Sequence, residues 1–324
     1  MRIEGLKAFL KPLMQRVRGM MEAVLASDIS LLGETNRSLL ASGGKGMRPG
    51  MALLIAGALG GVTKDSIRFA AAAELLHNAT LLHDDVVDGA HERRGAPTVS
   101  SLLGGTASVL IGDFWLVKAV ECILSADRES ARAVRIFSKT LSDLTEGELL
   151  QMEKASTVDT TREDYTRIIY SKTASLFEAT ALTAALSTGA PEPVIAAMGR
   201  FGREIGMAFQ IRDDMFDYMD APGIGKPVGI DLTEGKITEP LLSALDAAPS
   251  EESRIRGLVR RIPAEPSLAD EVRAFVRDHD GLSGAAAALD GYVKKALDCL
   301  DVLPSSEEKS YLRTLSCYVG ERIG

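Results

Sequence analysis

The stretch AAAELLHNATLLHDDVVDGAHERRGAPT, residues 71–98, decides how the chain is read. Its first part is rich in Ala and Leu, residues that favour helix, and its apolar positions recur every three or four residues. Asp84, Asp85 and Asp88 then stand where the pattern predicts the interior, and Arg93 and Arg94 follow. Residues four apart share one helix face, so Asp84 and Asp88 point the same way, with Asp85 about 100° round. Carboxylates this close in an apolar setting repel, and one takes up a proton unless a cation neutralises them. Hard divalent cations, Mg²⁺ above all, take such oxygen ligands together with substrate phosphates. A solvated acidic helix end is the competing reading of this stretch alone.

The rest of the sequence sets bounds. The 324 residues are 46% hydrophobic, 25% charged and only 5% aromatic, which favours a helical globular protein over sheets. A net charge of −8 argues against a nucleic-acid surface. Cys122, Cys299 and Cys317 are odd in number and lie in no metal-ligand spacing, as expected of reduced thiols in a cytoplasmic protein. The N-terminal segment carries charges every few residues, so it reads as an amphipathic packing helix (Leu6, Phe9, Leu10, Leu13, Met14, Val17, Met21) and not as a signal peptide. No apolar run approaches the roughly 18 residues of a membrane span.

Periodicity predicts helices over 66–88, 97–125, 129–155, 162–187 and 191–218, with no alternating hairpin pattern. Thr63 and Asp65 signal one helix start, and Pro97 and Pro191 mark two others. Short breaks and the absence of a linker predict one all-α domain over 1–324, a bundle of roughly a dozen helices.

A second acidic cluster changes the balance between the two readings. GMAFQIRDDMFDYMD places Asp213, Asp214 and Asp217 at the spacing of the first, again behind an apolar helical run. Facing one another across a bundle, two such clusters make an anionic pocket for several Mg²⁺ ions, and a diphosphate is the ligand able to share them. Lys45 and Arg48 in GGKGMRPG precede a helix, where cationic side chains and backbone N–H groups suit an anion; a plain turn is the alternative. Arginine forks match phosphate oxygens, and more cations than one diphosphate requires suggest two anionic substrates.

The motifs GGKGMRP, LLHDDVVDGAHERRGAPT, SKTASLFE, FQIRDDMFDYMD and GKPVGIDLTEGKITEPLL closely resemble those of the trans-isoprenyl diphosphate synthases, the polyprenyl synthetase family, and most nearly its long-chain, octaprenyl-type bacterial members. The resemblance spans almost the whole chain and breaks no motif position. It implies the all-α isoprenoid synthase fold, a bundle around a deep central cavity, usually as a homodimer, and three Mg²⁺ ions. It further implies that Asp84, Asp88 and Asp213 ligate metal while Asp85, Asp214 and Asp217 support them. Arg93, Lys172 and Lys226 are implied to grip the allylic diphosphate, and Lys45, Arg48, His77 and Arg94 to bind isopentenyl diphosphate. Thr173 and Gln210 are implied to turn oxygen dipoles toward the developing carbocation. The reaction expected is ionisation, condensation and elimination, with no nucleophilic Ser or Cys, and quinone side chains are the expected use of a long product.

Product length should be written below the first cluster. Thr80 and Ala79 lie about one turn before Asp84, Leu76 about two and Ala73 about three. Where short-chain relatives carry a bulky aromatic floor, these small residues imply an open tunnel and a hexa- to octaprenyl product grown from farnesyl diphosphate; close helix packing is the other reason for Ala and Thr here. The alternatives are a geranylgeranyl- or farnesyl-type synthase, a terpene cyclase, a non-catalytic subunit of a heteromeric synthase and, from the pair His83–Asp84, a helical phosphohydrolase. The last needs further His ligands that His91 and His279 do not supply. His83 reads better as a packing residue. A long prenyl product also suggests peripheral membrane contact at release.

Overall fold

The computed structural model describes residues 3–44, 46–93, 95–219 and 229–320. The chain is all-α: α1 (Ile3–Val24), α2 (Ser30–Ser42), α3 (Met47–Ala58), α4 (Lys64–Val87), α5 (Val99–Leu103), α6 (Gly105–Leu124), α7 (Ser130–Thr157) and α8 (Arg162–Ile169). There follow α9 (Ser175–Leu186), α10 (Glu192–Phe216), α11 (Ile230–Thr233), α12 (Glu239–Ala247), α13 (Glu252–Arg261), α14 (Leu268–Asp278), α15 (Gly281–Cys299) and α16 (Glu307–Gly320). By internal packing the chain forms two compact units: Met1–Ser138 with Ala179–Gly199 and Leu300–Leu315, and Lys139–Glu178 with Arg200–Cys299 and Ser316–Gly324.

The first unit is organised by α4. Its start is a capping box in which Thr63 Oγ1 accepts from Ser66 N at 3.0 Å and Ser66 Oγ from Thr63 N at 3.1 Å. Beyond the cap the helix is buried nearly all round, so it shows little amphipathic stripe, as expected of a core helix. Alanines and a glycine let α6 approach it: a Cβ added to Gly112 meets His83 Nε2 at 2.4 Å and the Ala79 carbonyl at 3.3 Å. Ser108 Oγ donates to the Leu82 carbonyl at 2.8 Å across the same seam. Trp115, fully buried, donates Nε1–H to Asn36, whose amide donates in turn to the Leu25 carbonyl, so each polar atom taken into this core has a partner.

Two expectations are refined. The helix expected over 97–125 breaks at Gly104, where φ is +84°, a conformation glycine reaches without a Cβ penalty. No strand was expected, yet Glu92–Arg93 pairs antiparallel with Ala96–Pro97 around Gly95, φ +77°. A two-residue ladder is too short to leave an alternation signal.

The second unit packs α12 against α14 and α15. Their crossing is close because Gly281 and Gly284 face it: a Cβ on Gly281 meets the Pro240 carbonyl oxygen at 2.3 Å, and one on Gly284 meets Ser243 Cβ at 2.6 Å. The helix expected over 162–187 is interrupted here. Residues Tyr170–Ala174 form one π-helical turn between α8 and α9, a device often found at functional sites.

Candidate active site

In the first unit, the last turn of α4 carries the first aspartate cluster. Asp84 is half-buried, Asp88 is exposed at the C-cap, and Asp85 is buried. Arg93 Nε donates to Asp85 Oδ1 at 2.7 Å, so Asp85 anchors the arginine in place. The short β pair folds Arg93 back to this position, and Thr98 Oγ1 ties the loop down by donating to the Ala90 carbonyl at 2.7 Å. Arg94 lies outside the described residues. His83 packs on α6 with Nε2 3.3 Å from Asp113 Oδ1, so it turns to a neighbouring helix.

Other candidates of the first unit sit on or near α4. His77 is half-buried on the flank of α4 that carries Asp84, one heptad earlier. Ala73, Leu76 and Ala79 are each no more than 1% exposed, while Thr80 is half-buried with its hydroxyl donated to the His77 carbonyl at 2.9 Å. Arg48 lies half-buried in the first turn of α3, after Gly46 at φ +60°; Lys45 falls outside the described residues.

In the second unit, α10 ends in the second cluster, where again the middle acid is the buried one: Asp213 is exposed, Asp214 buried and Asp217 half-buried. Asp217, just past the helix end, accepts the backbone N–H groups of Gly229, Ile230 and Asp231 at 3.0–3.1 Å and so caps α11. Asp214 accepts from Tyr165 Oη at 2.7 Å and from Gln210 Nε2 at 2.8 Å, and Thr173 Oγ1 donates to Gln210 Oε1 at 2.6 Å. Burial pushes the Asp214 carboxyl well above the ordinary carboxylate range, with Asp231 adding repulsion and its two hydrogen-bond donors pulling the other way. Burial also raises Asp217, against three backbone donors, and raises Asp231 to about 6, with Asp217 close by.

Lys172 and Thr173 both belong to the π turn. Lys172 pairs with Glu148 of α7. Two glycines admit this wide turn: a Cβ on Gly147 of α7 meets Ser171 Cβ at 2.5 Å, and one on Gly206 of α10 meets Ala174 Cα at 2.5 Å. Lys226 lies outside the described residues. Tyr165 and Asp231 were missed by sequence reasoning. Tyr165 looks like any apolar-face aromatic at helical spacing, while Asp231, inside the quoted GKPVGIDL motif, carried a signal that could have been followed.

The two clusters share an electrostatic oddity. Each sets its carboxylates at a helix C-terminus, where the macrodipole is already negative and acids are disfavoured by roughly 0.3–1 kcal/mol apiece. Both helices lack a basic residue in their last turn. A donor set of oxygen ligands only, at the negative end of a helix, fits a hard cation such as Mg²⁺. Among the described residues no three His, Cys, Asp or Glu side chains form a ready-made metal cage.

An all-α fold with two aspartate clusters at helix ends and a cation-bearing π turn fits the class of helical synthases that work on prenyl diphosphates. Residues 29–276 match the sequence profile of the polyprenyl synthetase family, and the chain belongs to that family and is a prenyltransferase. It is 37% identical to octaprenyl diphosphate synthase of Haemophilus influenzae over 317 residues, 98% of this chain and 96% of the relative. Decaprenyl diphosphate synthase from Rhodobacter capsulatus superposes with a TM-score of 0.91 at 32% identity, covering 100% of both chains. Geranylgeranyl pyrophosphate synthetase from Pyrococcus horikoshii reaches the same TM-score at 30% identity, over 99% of this chain and 100% of that one. The fold is therefore common to relatives named for long and for short products. Among the described residues no helix is long and apolar enough to cross a membrane.

Proposed function

We propose that the chain condenses isopentenyl diphosphate onto an allylic diphosphate, farnesyl diphosphate being the expected primer, in a Mg²⁺-dependent reaction yielding a hexa- to octaprenyl diphosphate. The observation that carries this reading is the pair of carboxylate clusters at the negative ends of α4 and α10, in oxygen-only donor sets. Asp84, Asp88 and Asp213 are the accessible members suited to ligate; Asp85, Asp214 and Asp217 are held by neighbours and act as supports. Three ions are the expected complement, and when bound, Mg²⁺ supplies charge neutralisation of the departing diphosphate.

The chain's own residues do the rest. Arg93, Lys172 and Lys226 hold the allylic diphosphate by charge-assisted hydrogen bonds, and Lys45, Arg48, His77 and Arg94 hold isopentenyl diphosphate. Thr173 and Gln210 turn oxygen toward the cation that ionisation leaves behind. Apolar lining keeps water from that cation, and the alkene attacks it; loss of a proton, which the departing diphosphate can accept, restores an allylic diphosphate one unit longer. Ala73, Leu76, Ala79 and Thr80 set how far the tail runs, and quinone side chains are the proposed destination. We take 1–324 to act as a single synthase domain in the cytoplasm, with peripheral membrane contact at product release.

A homodimer is supported by one exposed face. Leu110, Val117 and Leu124 recur every seven residues along α6 and are 54–63% exposed, and Leu102, Leu103 and Val109 extend the patch. Contiguous exposed apolar surface of this kind marks an interface. The test of the whole reading is the purified chain with farnesyl diphosphate, radiolabelled isopentenyl diphosphate and Mg²⁺. Chain-elongated products that vanish with EDTA are expected; elongation unaffected by EDTA, or hydrolysis without elongation, would refute it.

A further inference from the structure

We propose that Tyr165 is a positioning residue: its phenol orients Asp214 and, through it, sets the hydrogen-bond polarity of Gln210 and Thr173. The inference rests on the reaction proposed above and assigns a role to a side chain outside every sequence motif.

The geometry is a chain of three short bonds within the second unit. Tyr165, on α8 and 3% exposed, reaches Asp214 Oδ2 at 2.7 Å. Gln210 Nε2 occupies Oδ1 at 2.8 Å, and Gln210 Oε1 receives the Thr173 hydroxyl at 2.6 Å. Both arms donate into Asp214, the phenol O–H to Oδ2 and the Gln210 NH₂ to Oδ1. With its NH₂ turned to Asp214, the Gln210 amide has its carbonyl turned to Thr173. The Thr173 proton is thereby committed to Gln210, and lone pairs are what the Thr173 oxygen has left to offer. A cation forming beside the π turn is stabilised by those lone pairs and would be repelled by an O–H dipole of the opposite sense. Polarity, as much as position, is therefore the catalytic requirement.

Tyr165 makes that polarity stable. Asp214 is 5% exposed, so an oxygen deprived of its donor finds little water to replace it. Without the phenol the carboxylate is held on one side only. It can rotate about its own axis and draw Gln210 with it, freeing the amide to flip. Phenylalanine keeps the ring that fills the site and deletes only the donor, which separates positioning from packing.

Glutamines stand only at positions 15, 151 and 210, so selective side-chain ¹⁵N-glutamine labelling yields three resolvable amide pairs. Gln210→Glu identifies the pair of interest by its loss. In Tyr165→Phe the Gln210 pair should shift or broaden, with Gln15 and Gln151 unmoved. Deleting a buried hydrogen bond to a charged group should lower kcat about tenfold or more, while KM for both substrates stays within about twofold. On a Thr173→Val background the same change should cost less than half its logarithmic effect, since groups that act as a unit are not additive. Should Tyr165→Phe fail to fold, Asp214→Asn carries the test, because an amide there permits the reverse polarity and should move the same Gln210 pair. An unmoved Gln210 pair with wild-type kcat, or full additivity with Thr173→Val, overturns the proposal. If the wild-type chain transfers no prenyl group, the functional reading fails, and the amide signal still decides whether Tyr165 orients Gln210.

Discussion

Replacing Gly206 by Ala tests whether the π turn is held by close backbone approach. The added Cβ would lie 2.5 Å from Ala174 Cα, 2.9 Å from Ala174 Cβ and 3.2 Å from Phe177 Cβ. None of these atoms is the flexible end of a side chain, and ordinary carbon contacts lie at about 3.5–4.0 Å. Either α10 or the π turn must therefore yield by about 1 Å. Overpacking of this kind costs about 1–3 kcal/mol, against up to about 1 kcal/mol gained by replacing glycine in a helix interior. The expected net is a loss of about 1–2 kcal/mol. Thr173 immediately precedes the displaced Ala174, and Gln210 lies one turn beyond Gly206, so their 2.6 Å bond should lengthen with the shift. A 1 Å misplacement near the chemistry can cost about a hundredfold in rate. Gly257→Ala in α13 is the control: its Cβ meets nothing within 4 Å, and it should gain about 0.5–1 kcal/mol. Thermal unfolding and steady-state kinetics on both variants decide the matter. A Gly206→Ala protein as stable as the Gly257→Ala protein, with wild-type kcat, would show that the close approach plays no part.

Four further outcomes follow from the same structure. Asp231, raised to about 6 by burial, keeps its proton to higher pH in the folded chain than in the unfolded one, so its contribution to stability is lost as pH rises from about 4 through about 6. Asp231→Asn should accordingly stabilise the metal-free protein by about 1–3 kcal/mol at pH 7.5, with the gain fading toward pH 4, as chemical denaturation would measure; a gain independent of pH contradicts this. Asp88→Asn should abolish most elongation while leaving metal-free Tm equal or higher, because it removes a like charge from a negative helix end; a lower Tm argues against the electrostatic account. Ala79→Tyr should shorten the products seen by chromatography, at a packing cost of about 1–3 kcal/mol, since Ala79 is 1% exposed and its carbonyl lies 3.3 Å from where a Gly112 Cβ would stand. An unchanged product ladder removes it from the tunnel wall. Leu110→Glu should convert a dimer to a monomer in light scattering, and an unaltered mass would clear the α6 face of that role.

What could be read from the residues depended on whether physics had left a local trace. The start of α4 was legible because Thr63 and Asp65 are local start signals that need no tertiary context, and Thr63 does cap the helix; its reciprocal partner Ser66 emerged only in the structure. The all-α class was legible because apolar periodicity accumulates over many turns. The π turn at Tyr170–Ala174 was not, since one extra residue per turn disturbs the period too briefly to register, and its cause lies 20 to 40 residues away in Gly147 and Gly206. The acidic motifs announced themselves, but their internal division did not. Spacing puts Asp84 and Asp88 on one face, whereas burial separates Asp84 and Asp213 from Asp85 and Asp214, which Arg93 and Tyr165 anchor. Arg93 and Tyr165 reach those anchors over 8 and 49 positions, a relation invisible to any window of sequence.

That division explains why each cluster carries adjacent aspartates. A carboxyl whose two oxygens are both taken by neighbours, as those of Asp214 are, has less left to offer a cation than one at the helix surface. Placing the second acid one position later turns it about 100° round the helix, into the packed interior. There Asp85 takes Arg93, and Asp214 takes Tyr165 and Gln210. The first acid is left outward at the negative end of its helix, with no basic residue in that last turn to neutralise it. On the proposed function, that repulsion is what a divalent cation would relieve. Moving the pair to a helix N-terminus would relieve the repulsion and weaken metal affinity with it. On the proposed function, the placement at the C-terminus trades metal-free stability for binding, which is why the Asp88→Asn protein should be no less stable without metal.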